Sequence, residues 1–299
     1  MMDILENAAT RWLSRRAQPQ PSALAAIVGL TPAVVITGGA SGIGLALAHE
    51  FAKCESALVL VARTQSRLDR AAAEIAAQRP GVRVETLLLD IASPDAADVI
   101  NAILAEKRLY CDVLVNNAGV GQSGPFSASA IGGLDALIAT NITAVARLTR
   151  AMLPGMLARG RGGVLSVASL GALIPGPHQA AYYASKAFVV SLSEAIRSEI
   201  AGRGVRVAVI LPGPVETRFH ARMDAEGALY RYFIAAASPE RVAALTVRGY
   251  RLGRGLIAPG IVPTLAVSVL RILPHAITVP VVRWLLDTGR PILPPGPSI

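Results

Sequence analysis

Short apolar runs alternate with helix-like stretches along most of this chain, and this alternation restricts its possible folds more than any other feature. Near-continuous apolar runs are typical of parallel strands buried on both faces, and each crossover between such strands needs about a dozen or more residues. The alternation therefore predicts an α/β fold with one doubly wound parallel sheet and helices on both faces. The predicted strands are Ala33–Thr37, Ala57–Val61, Val82–Leu89, Val113–Val115, Gly163–Val167 and Val205–Leu211, with a weaker seventh at Leu256–Ala258.

Three of the intervening stretches carry helix signals. Leu45–Lys53 follows the first strand, and Arg67–Gln78 is rich in alanine. Pro94 follows Ser93, which predicts a helix with Ser93 as its cap and Pro94 at its first position.

Composition and charge exclude several classes of protein. The 299 residues are 53% hydrophobic and 16% charged, which is far too apolar for a disordered chain. The net charge of +9 is concentrated near the carboxyl terminus, where seven arginines and one aspartate follow Glu240. A nucleic-acid binder would carry a basic stripe on a folded face, whereas here the arginines lie in an apolar, proline-interrupted stretch. We therefore expect no nucleic-acid partner, and a membrane surface fits the charge better.

The cysteines and histidines indicate neither a metal site nor a disulfide framework. Cys54 and Cys111 are too few for either, and the histidines are scattered along the chain. We expect no structural metal. The amino terminus lacks the pattern of a secretory signal, which predicts a cytoplasmic protein.

An amino-terminal extension, residues 1–31, precedes the predicted sheet domain at residues 32–258. Within residues 4–16, Ile4, Leu5, Ala8, Trp12 and Leu13 have the spacing of an amphipathic helix while Arg11, Arg15 and Arg16 add positive charge, and Gln18–Pro21 is typical of a linker. This helix can pack on the protein itself, on another subunit or on a membrane.

A hydrophobic and basic extension, residues 259–299, follows the domain. Prolines and arginines interrupt it before it reaches the ~18 apolar residues of a spanning helix. Ile257–Leu286 is nevertheless too apolar to be solvated, so we expect it to be buried against the core, another subunit of a homo-oligomer or lipid. Peripheral membrane association is one of these open alternatives.

A glycine-rich turn joins the first strand to the first predicted helix. Glycines let the chain turn tightly and let its backbone approach a pyrophosphate, whose charge is stabilised by free N–H groups and by the helix dipole. A strand before the turn and a helix after it make a dinucleotide site the favoured interpretation over a purely structural turn. The turn runs Thr37-Gly38-Gly39-Ala40-Ser41-Gly42-Ile43-Gly44.

The residue that follows the second strand distinguishes the two nicotinamide dinucleotides. A carboxylate there would bind the ribose 2′-hydroxyl, but this chain has Arg63, with Arg67 one turn further on and no acidic residue before Asp69. A guanidinium can bind a 2′-phosphate through two hydrogen bonds, with no carboxylate to repel that phosphate. We predict NADP(H), with NAD(H) as the alternative cofactor and a solvated surface arginine as the alternative interpretation of Arg63.

Seven motifs, in this order, resemble the short-chain dehydrogenase/reductase superfamily across about residues 32–258. They are Thr37-Gly-x-x-x-Gly-x-Gly44, Asp90, Asn116-Asn117-Ala118-Gly119, Asn141, Ser169, Tyr182-x-x-x-Lys186 and Pro212-Gly213-Pro214-Val215-x-Thr217. The resemblance implies one Rossmann-type domain in which cofactor and substrate share a single fold. Leu60-Val-Ala-Arg63 is similar to the NADP-preferring branch, whose members often act on lipid-like carbonyls.

The resemblance also implies a role for each motif. Asp90 and Ile91 would border the adenine, and Asn141 would hold a helix distortion and a water of a proton relay. Val215 and Thr217 would meet the nicotinamide carboxamide. The full set of implied cofactor contacts is Thr37, Gly38, Ser41, Gly42, Ile43, Gly44, Arg63, Asp90, Ile91, Asn117, Ala118, Gly119, Tyr182, Lys186, Pro212, Gly213, Val215 and Thr217.

Tyr182 and Lys186 have the chemistry to protonate a reduced carbonyl. Hydride transfer leaves an alkoxide that needs a proton, and a tyrosine of ordinary pKa, about 10, is a poor shuttle near neutral pH unless that pKa is shifted. Positions i and i+4 share a helix face, so Lys186 can favour the phenolate of Tyr182, while Ser169 can hydrogen-bond the substrate oxygen. Tyr183 is a rival by geometry, and the family spacing selects Tyr182. The predicted catalytic residues are Asn141, Ser169, Tyr182 and Lys186.

The predicted function is therefore NADP(H)-dependent interconversion of a carbonyl and a secondary alcohol. A serine hydrolase is disfavoured because the nearest match to a nucleophile elbow, residues 39–43, lacks its final glycine. A catalytically silent dinucleotide-binding sensor or scaffold is the alternative. A lid over an apolar substrate is predicted for Thr217–Ser238, with packing of the same side chains in the core as the alternative. The apolar and aromatic residues there are Phe219, Met223, Leu229, Tyr230, Tyr232 and Phe233.

Overall fold

A seven-stranded parallel sheet forms the centre of the computed structural model, which describes residues 19–219, 223 and 235–286. The strand order is β3-β2-β1-β4-β5-β6-β7, so the chain winds outward from β1 in one direction and then returns to place β4 beside it. This confirms the predicted doubly wound sheet. The strands are β1 (Thr31–Thr37), β2 (Ala57–Ala62), β3 (Arg83–Leu88), β4 (Leu109–Asn116), β5 (Gly162–Val167), β6 (Val205–Ile210) and β7 (Leu256–Ile257).

Strand β4 begins four positions earlier than the apolar pattern predicts. Asp112 interrupts the pattern, but its buried carboxylate accepts hydrogen bonds from the Arg161 guanidinium at 3.0 and 3.1 Å. Because that partner satisfies the charge, the strand extends back through Tyr110 to Leu109.

The helices cover both faces of the sheet. Val34 and Ile36 of β1 face one core with α2, α3 and α8, and Val35 faces the other with α4, α6 and α7. The helices are α1 (Pro21–Ala25), α2 (Gly42–Phe51), α3 (Gln65–Gln78), α4 (Ala96–Glu106), α5 (Ile131–Ile138), α6 (Ala144–Arg159), α7 (Ala180–Glu199), α8 (Pro239–Arg251), α9 (Ile261–Leu270) and α10 (His275–Leu286).

Two predictions about helix boundaries are wrong. Pro94 does not begin a helix: it lies in a turn closed by a hydrogen bond from Ala96 N to Ser93 O, and Asp95 is the residue before α4. Pro21 is not part of a linker but the first residue of α1. The backbone amide of Gln20, just before α1, donates a hydrogen bond to Ala158 O at 2.8 Å. Ile4–Arg16 and Gln18 lie outside the described residues.

Helices α5 and α6 and the π-helical segment between them form one continuous helix, Ile131–Arg159. By length and composition alone this helix could cross a membrane. However, Leu148, Met152 and Met156 are buried against the sheet. We therefore interpret it as a core helix of the α/β fold.

Candidate active site

A cavity of about 530 Å³ lies over the carboxyl ends of the strands. Its lining includes residues one or two positions after the ends of six of them, and it spans the point where the connections from neighbouring β1 and β4 lead in opposite directions. Crevices at this position are where open α/β sheets bind their ligands. The residues concerned are Gly38, Arg63, Asp90, Asn117, Ser169 and Pro212.

The glycine-rich turn lines this cavity between the loop after β2 and the loops after β4 and β5. Gly38 and Gly42 have φ angles of +65° and +54°, which favour glycine, and a Cβ on Gly44 would lie 2.3 Å from the carbonyl oxygen of Gly38. The Ser41 side chain does not cap α2. The amides of the first helical turn therefore stay available to an anionic group such as a pyrophosphate.

Thr37 and Gly44 support the turn and do not line the cavity. The Thr37 hydroxyl donates to Val115 O at 3.2 Å and accepts hydrogen bonds from the backbone amides of Asn117 and Ala118. The Asn117 side chain donates to the carbonyl oxygens of Thr37 and Gly38 at 2.9 and 3.2 Å. These bonds join the chain after β4 to the turn after β1, so both sides of the cavity keep a fixed separation.

Arg63, Thr64 and Arg67 line the end of the cavity on the β2 side of the glycine-rich turn. The Arg63 guanidinium lies 3.7 Å from the Asp90 carboxylate, and both side chains are largely exposed. The expectation that no carboxylate lies near Arg63 is therefore wrong, because β2 and β3 are neighbours and their following loops meet. An ion pair this exposed contributes little to stability, so Arg63 can exchange Asp90 for another anion.

The cavity brings Ser169, Tyr182 and Lys186 together on the β5 side of the glycine-rich turn. Lys186 is buried, its ammonium donates to Val167 O at 2.9 Å, and it lies 5.9 Å from the centre of the Tyr182 ring. Burial lowers the pKa of Lys186 to about 8. This keeps a compact cation, most of it protonated near neutral pH, beside the tyrosine.

Asn141 does not line the cavity, and it connects the elements that do. It lies in the π-helical segment Ala139–Thr143, where the structure has the helix distortion that the family pattern implies. Its side chain accepts from Val120 N at 2.9 Å and donates to Val120 O at 2.8 Å and to Ser185 Oγ at 3.0 Å. Ser185 in turn donates to Tyr182 O, so Asn141 joins the loop after β4 to the helix that carries Tyr182.

The two adjacent tyrosines have different surroundings. Tyr183 also lines the cavity, but its ring packs on Gly171 and Gly176, where a Cβ would lie 2.8 and 2.3 Å from ring carbons. The Tyr182 ring centre lies 5.9 Å from the Lys186 ammonium and 5.6 Å from the Phe219 ring centre. This arrangement favours Tyr182 as the residue that exchanges protons.

The remaining predicted contacts line the cavity where the loops after β3, β4 and β6 reach it. They are Asp90, Ile91, Asn117, Ala118, Gly119, Pro212, Gly213, Val215 and Thr217, together with Ser41, Gly42 and Ile43 of the turn. The methyl group of Thr217 lies close to Gly42, where a Cβ would be 3.2 Å away. The chain after β6 therefore reaches over the glycine turn.

Only part of the predicted lid can be described. Phe219 and Met223 line the cavity and close on Gly121, where a Cβ would lie 3.0 Å from each. A bridge between Val215 and Ala237 brings the two ends of this segment together. Leu229, Tyr230, Tyr232 and Phe233 lie outside the described residues.

The sequence reasoning missed one wall of the cavity, which α9 and α10 form. An apolar repeat along these helices could have signalled a common face, but nothing in the repeat indicates which surface that face covers. The wall residues are Ala266, Leu270, Leu273, Ile277, Thr278, Val281, Val282, Leu285 and Leu286.

Among the described residues, no three His, Cys, Asp or Glu side chains are grouped so that they could hold a metal ion. Cys54 and Cys111 are both free, the first exposed and the second buried. Burial raises the pKa of the Cys111 thiol to about 12. This thiol is therefore an apolar core group.

Comparison with known sequences matches residues 32–227 to the family model for short chain dehydrogenases, which is more than half of the chain. A very-long-chain 3-oxoacyl-CoA reductase from Bos taurus is 37% identical over 188 residues, which make up 62% of this chain and 59% of that relative. The match thus spans less than two thirds of this relative's length.

Solved structures show the same fold. A short-chain dehydrogenase from Sphingobium yanoikuyae, in complex with NADPH, superimposes with a TM-score of 0.69 at 29% identity, covering 82% of this chain and 97% of that one. A 3-ketoacyl-(acyl-carrier-protein) reductase from Brucella melitensis, complexed with NADH, gives a TM-score of 0.66 at 27% identity, covering 76% and 95%.

Proposed function

The chain belongs to the short chain dehydrogenase family, and on that premise we propose that it is an NADP(H)-dependent oxidoreductase that interconverts a carbonyl and a secondary alcohol on an apolar small molecule. One observation carries the proposal. The glycine turn, Ser169, Tyr182 and Lys186 line a single cavity, so a dinucleotide held at the turn would present its reactive end to the tyrosine.

In the proposed reaction, Tyr182, Ser169 and Lys186 each have a separate role in the proton transfer. When bound, the nicotinamide group supplies a hydride to the carbonyl carbon or accepts one from the alcohol. In the reductive direction the Tyr182 hydroxyl donates its proton to the carbonyl oxygen, and the Ser169 hydroxyl hydrogen-bonds that oxygen as charge develops on it. The Lys186 ammonium stabilises the phenolate that remains, because a nearby cation favours the charged form of an acid.

The cofactor preference rests on the arginine end of the cavity. A 2′-phosphate placed there would take two hydrogen bonds from Arg63 and a second cation from Arg67, replacing the exposed Asp90 pair. The structural relatives do not decide the matter, since one was solved with NADPH and another with NADH. We therefore base the preference for NADP(H) on this chain's own arginines.

The apolar wall supports a lipid-like substrate. Helices α9 and α10 present aliphatic side chains to the cavity, and Phe219 and Met223 close it from the side of the predicted lid. A curated relative is named for reduction of very-long-chain 3-oxoacyl-CoA, which is a lipid carbonyl. We propose a carbonyl carried on a long or bulky apolar group for this chain.

We also propose that the protein contacts a membrane surface peripherally and acts as a homo-oligomer in the cytoplasm. The membrane proposal rests on the exposed apolar side chains of α9 and α10 and on residues 241–286, which contain six arginines and no acidic residue. Each basic residue near an anionic surface contributes about 1 kcal/mol.

A substrate panel tests the enzymatic proposal. NADPH oxidation would be followed with matched short-chain, long-chain and bulky ketones and 3-oxoacyl thioesters, with Tyr182→Phe as the inactive control. We expect turnover that increases with the apolar size of the ketone. Tight NADPH binding without turnover on any member of the panel would contradict it and would favour a silent dinucleotide sensor.

A further inference from the structure

Helix α9 exposes an apolar stripe of side chains that do not line the cavity. Ile261, Leu265 and Val269 recur at i, i+4 and i+8, and Ile272 continues the stripe in the following turn. Ile261 and Ile272 are 77% and 81% exposed. Ordinary soluble surfaces do not concentrate large aliphatic side chains in this way, so the stripe marks a contact surface.

Helix α10 carries a second exposed stripe, made of Ile277, Val281 and Trp284. Ile277 and Val281, together with Leu273 before the helix, are both exposed and part of the cavity wall. They therefore form the rim of the cavity. The outer apolar surface of the two helices is continuous with the apolar interior, which means that the cavity opens within this surface.

Two exposed arginines border this surface, and one of them is paired with a carboxylate. Arg283 is exposed next to Trp284, and Arg271, also exposed, pairs with Glu194 of α7 at 2.6 Å. The 46 residues 241–286 include no acidic side chain. A surface with apolar stripes, a tryptophan and arginines at its margin complements an anionic lipid interface.

We propose that this rim surface docks on an anionic bilayer, so that the cavity opens into the lipid and the apolar substrate enters from the membrane. The inference rests on the proposed function for the identity of the substrate, and it adds the orientation of the molecule and the route to its cavity. A second copy of the chain fits the surface less well. It would cover the rim, and it would bring the arginines of both copies together.

Lipid-quenched tryptophan fluorescence tests the orientation directly. In a Trp12→Phe variant, Trp284 is the remaining tryptophan. Vesicles of phosphatidylcholine and phosphatidylglycerol would carry brominated acyl chains. We expect a blue shift and loss of Trp284 emission on binding. The matched control is Trp12→Phe/Trp284→Phe/Val28→Trp, because Val28 is 79% exposed just before β1, at the opposite end of the sheet. Its emission should not change.

A pair of charge variants tests the stripe itself. Leu265→Glu/Ile272→Glu changes two exposed residues that do not line the cavity, and Val28→Glu is the control. We expect the double variant to lose sedimentation with anionic vesicles, and its KM for a vesicle-dissolved long-chain ketone to rise. Its NADPH affinity and its kcat on a water-soluble short ketone should equal those of the parent.

Three results would overturn the proposal. The parent protein could fail to bind anionic vesicles, the double variant could bind them as well as the parent, or light scattering could show that the double variant converts a parent oligomer into monomers. The last result would assign the surface to a second copy. Vesicle binding and quenching need no turnover, so they are readable even if the oxidoreductase proposal fails.

Discussion

The ammonium group of Lys186 is hydrogen-bonded to the carbonyl oxygen of Val167, the last residue of β5, at 2.9 Å. This bond joins helix α7 to the end of the central sheet. It holds the buried cation near the Tyr182 ring, and Gly119 lies close on the other side, where a Cβ would be 3.4 Å from the ammonium. The sheet therefore helps to fix the helix that carries Tyr182, the proposed proton donor, and one buried lysine lies beside its ring.

Carbonyl reduction should slow as pH rises through about 8. Below that value Lys186 keeps its proton and favours the phenolate left on Tyr182, and above it the buried amine becomes neutral and this support is lost. The kcat/KM for a ketone, measured from about pH 6 to about pH 10, should show this limb in the parent. Lys186→Met should be slow at every pH. A parent profile that stays flat up to about pH 10 would contradict the assignment.

Asn141→Ala should lower both stability and turnover. It removes the hydrogen-bond partner of both backbone groups of half-buried Val120 and one donor to the buried Ser185 hydroxyl, and polar groups that lose a partner away from water cost about 1 to 3 kcal/mol. Urea denaturation and kcat would measure the two effects. Asn101→Ala, at an exposed position of α4, is the matched control and should change stability by less than about 0.5 kcal/mol. Equal stability of the two variants would show that the hydrogen bonds of Asn141 do not hold the site together.

Gly44→Ala should impair NADPH binding by about tenfold or more, which is about 1.4 kcal/mol. The added methyl group would meet the carbonyl oxygen of Gly38 at 2.3 Å and the Asn117 side chain at 2.4 Å, which forces the turn open. Gly132→Ala in α5 is the control, because a Cβ there meets nothing within 4 Å. Fluorescence titration would measure both affinities. Unchanged affinity in the Gly44 variant would remove the turn from the cofactor site.

Arg63→Asp should reverse the cofactor preference. The parent should bind NADPH more tightly than NADH, and loss of the charged hydrogen bonds to the 2′-phosphate should weaken NADPH roughly ten- to a hundredfold while NADH changes little. Arg70→Asp makes the same charge change on α3, at an exposed position outside the cavity, and should leave the ratio as it is. Equal affinities of the parent protein for NADPH and NADH would contradict this prediction.

The sequence predicted the sheet well because each buried parallel strand is a near-continuous run of apolar residues. All seven strands lie where the apolar runs predict them, and the main error is Leu109–Asp112 at the start of β4. There a buried aspartate is satisfied by Arg161, 49 positions away along the chain. Hydrogen bonds between distant residues are not visible in a local hydrophobic pattern. The pattern therefore ends a strand at a charged residue even where a distant partner lets the strand continue.

In the candidate site, the sequence predicted the residues near the strand ends but not the Arg63–Asp90 pair or the apolar wall. Motif spacing identified the residues that follow the strands, because the strand ends converge at one edge of the sheet. The Arg63–Asp90 pair depends on the adjacency of β2 and β3, and the apolar wall depends on where α9 and α10 pack. An apolar periodicity indicates that a helix has a buried face, but it does not identify the surface against which that face packs.

Turnover of Tyr182→Phe, compared with Tyr183→Phe, tests the central claim most directly. Both changes remove one hydroxyl and keep the ring. The Tyr182 ring centre lies 5.9 Å from the Lys186 ammonium and 5.6 Å from the Phe219 ring centre, whereas the Tyr183 ring packs on Gly171 and Gly176. With a ketone that the parent reduces, Tyr182→Phe should lose about 10²- to 10⁴-fold in kcat while its NADPH affinity stays within about twofold, and Tyr183→Phe should lose far less. A Tyr182→Phe enzyme that turns over like the parent, or a Tyr183→Phe enzyme that is the more damaged of the two, would contradict the account.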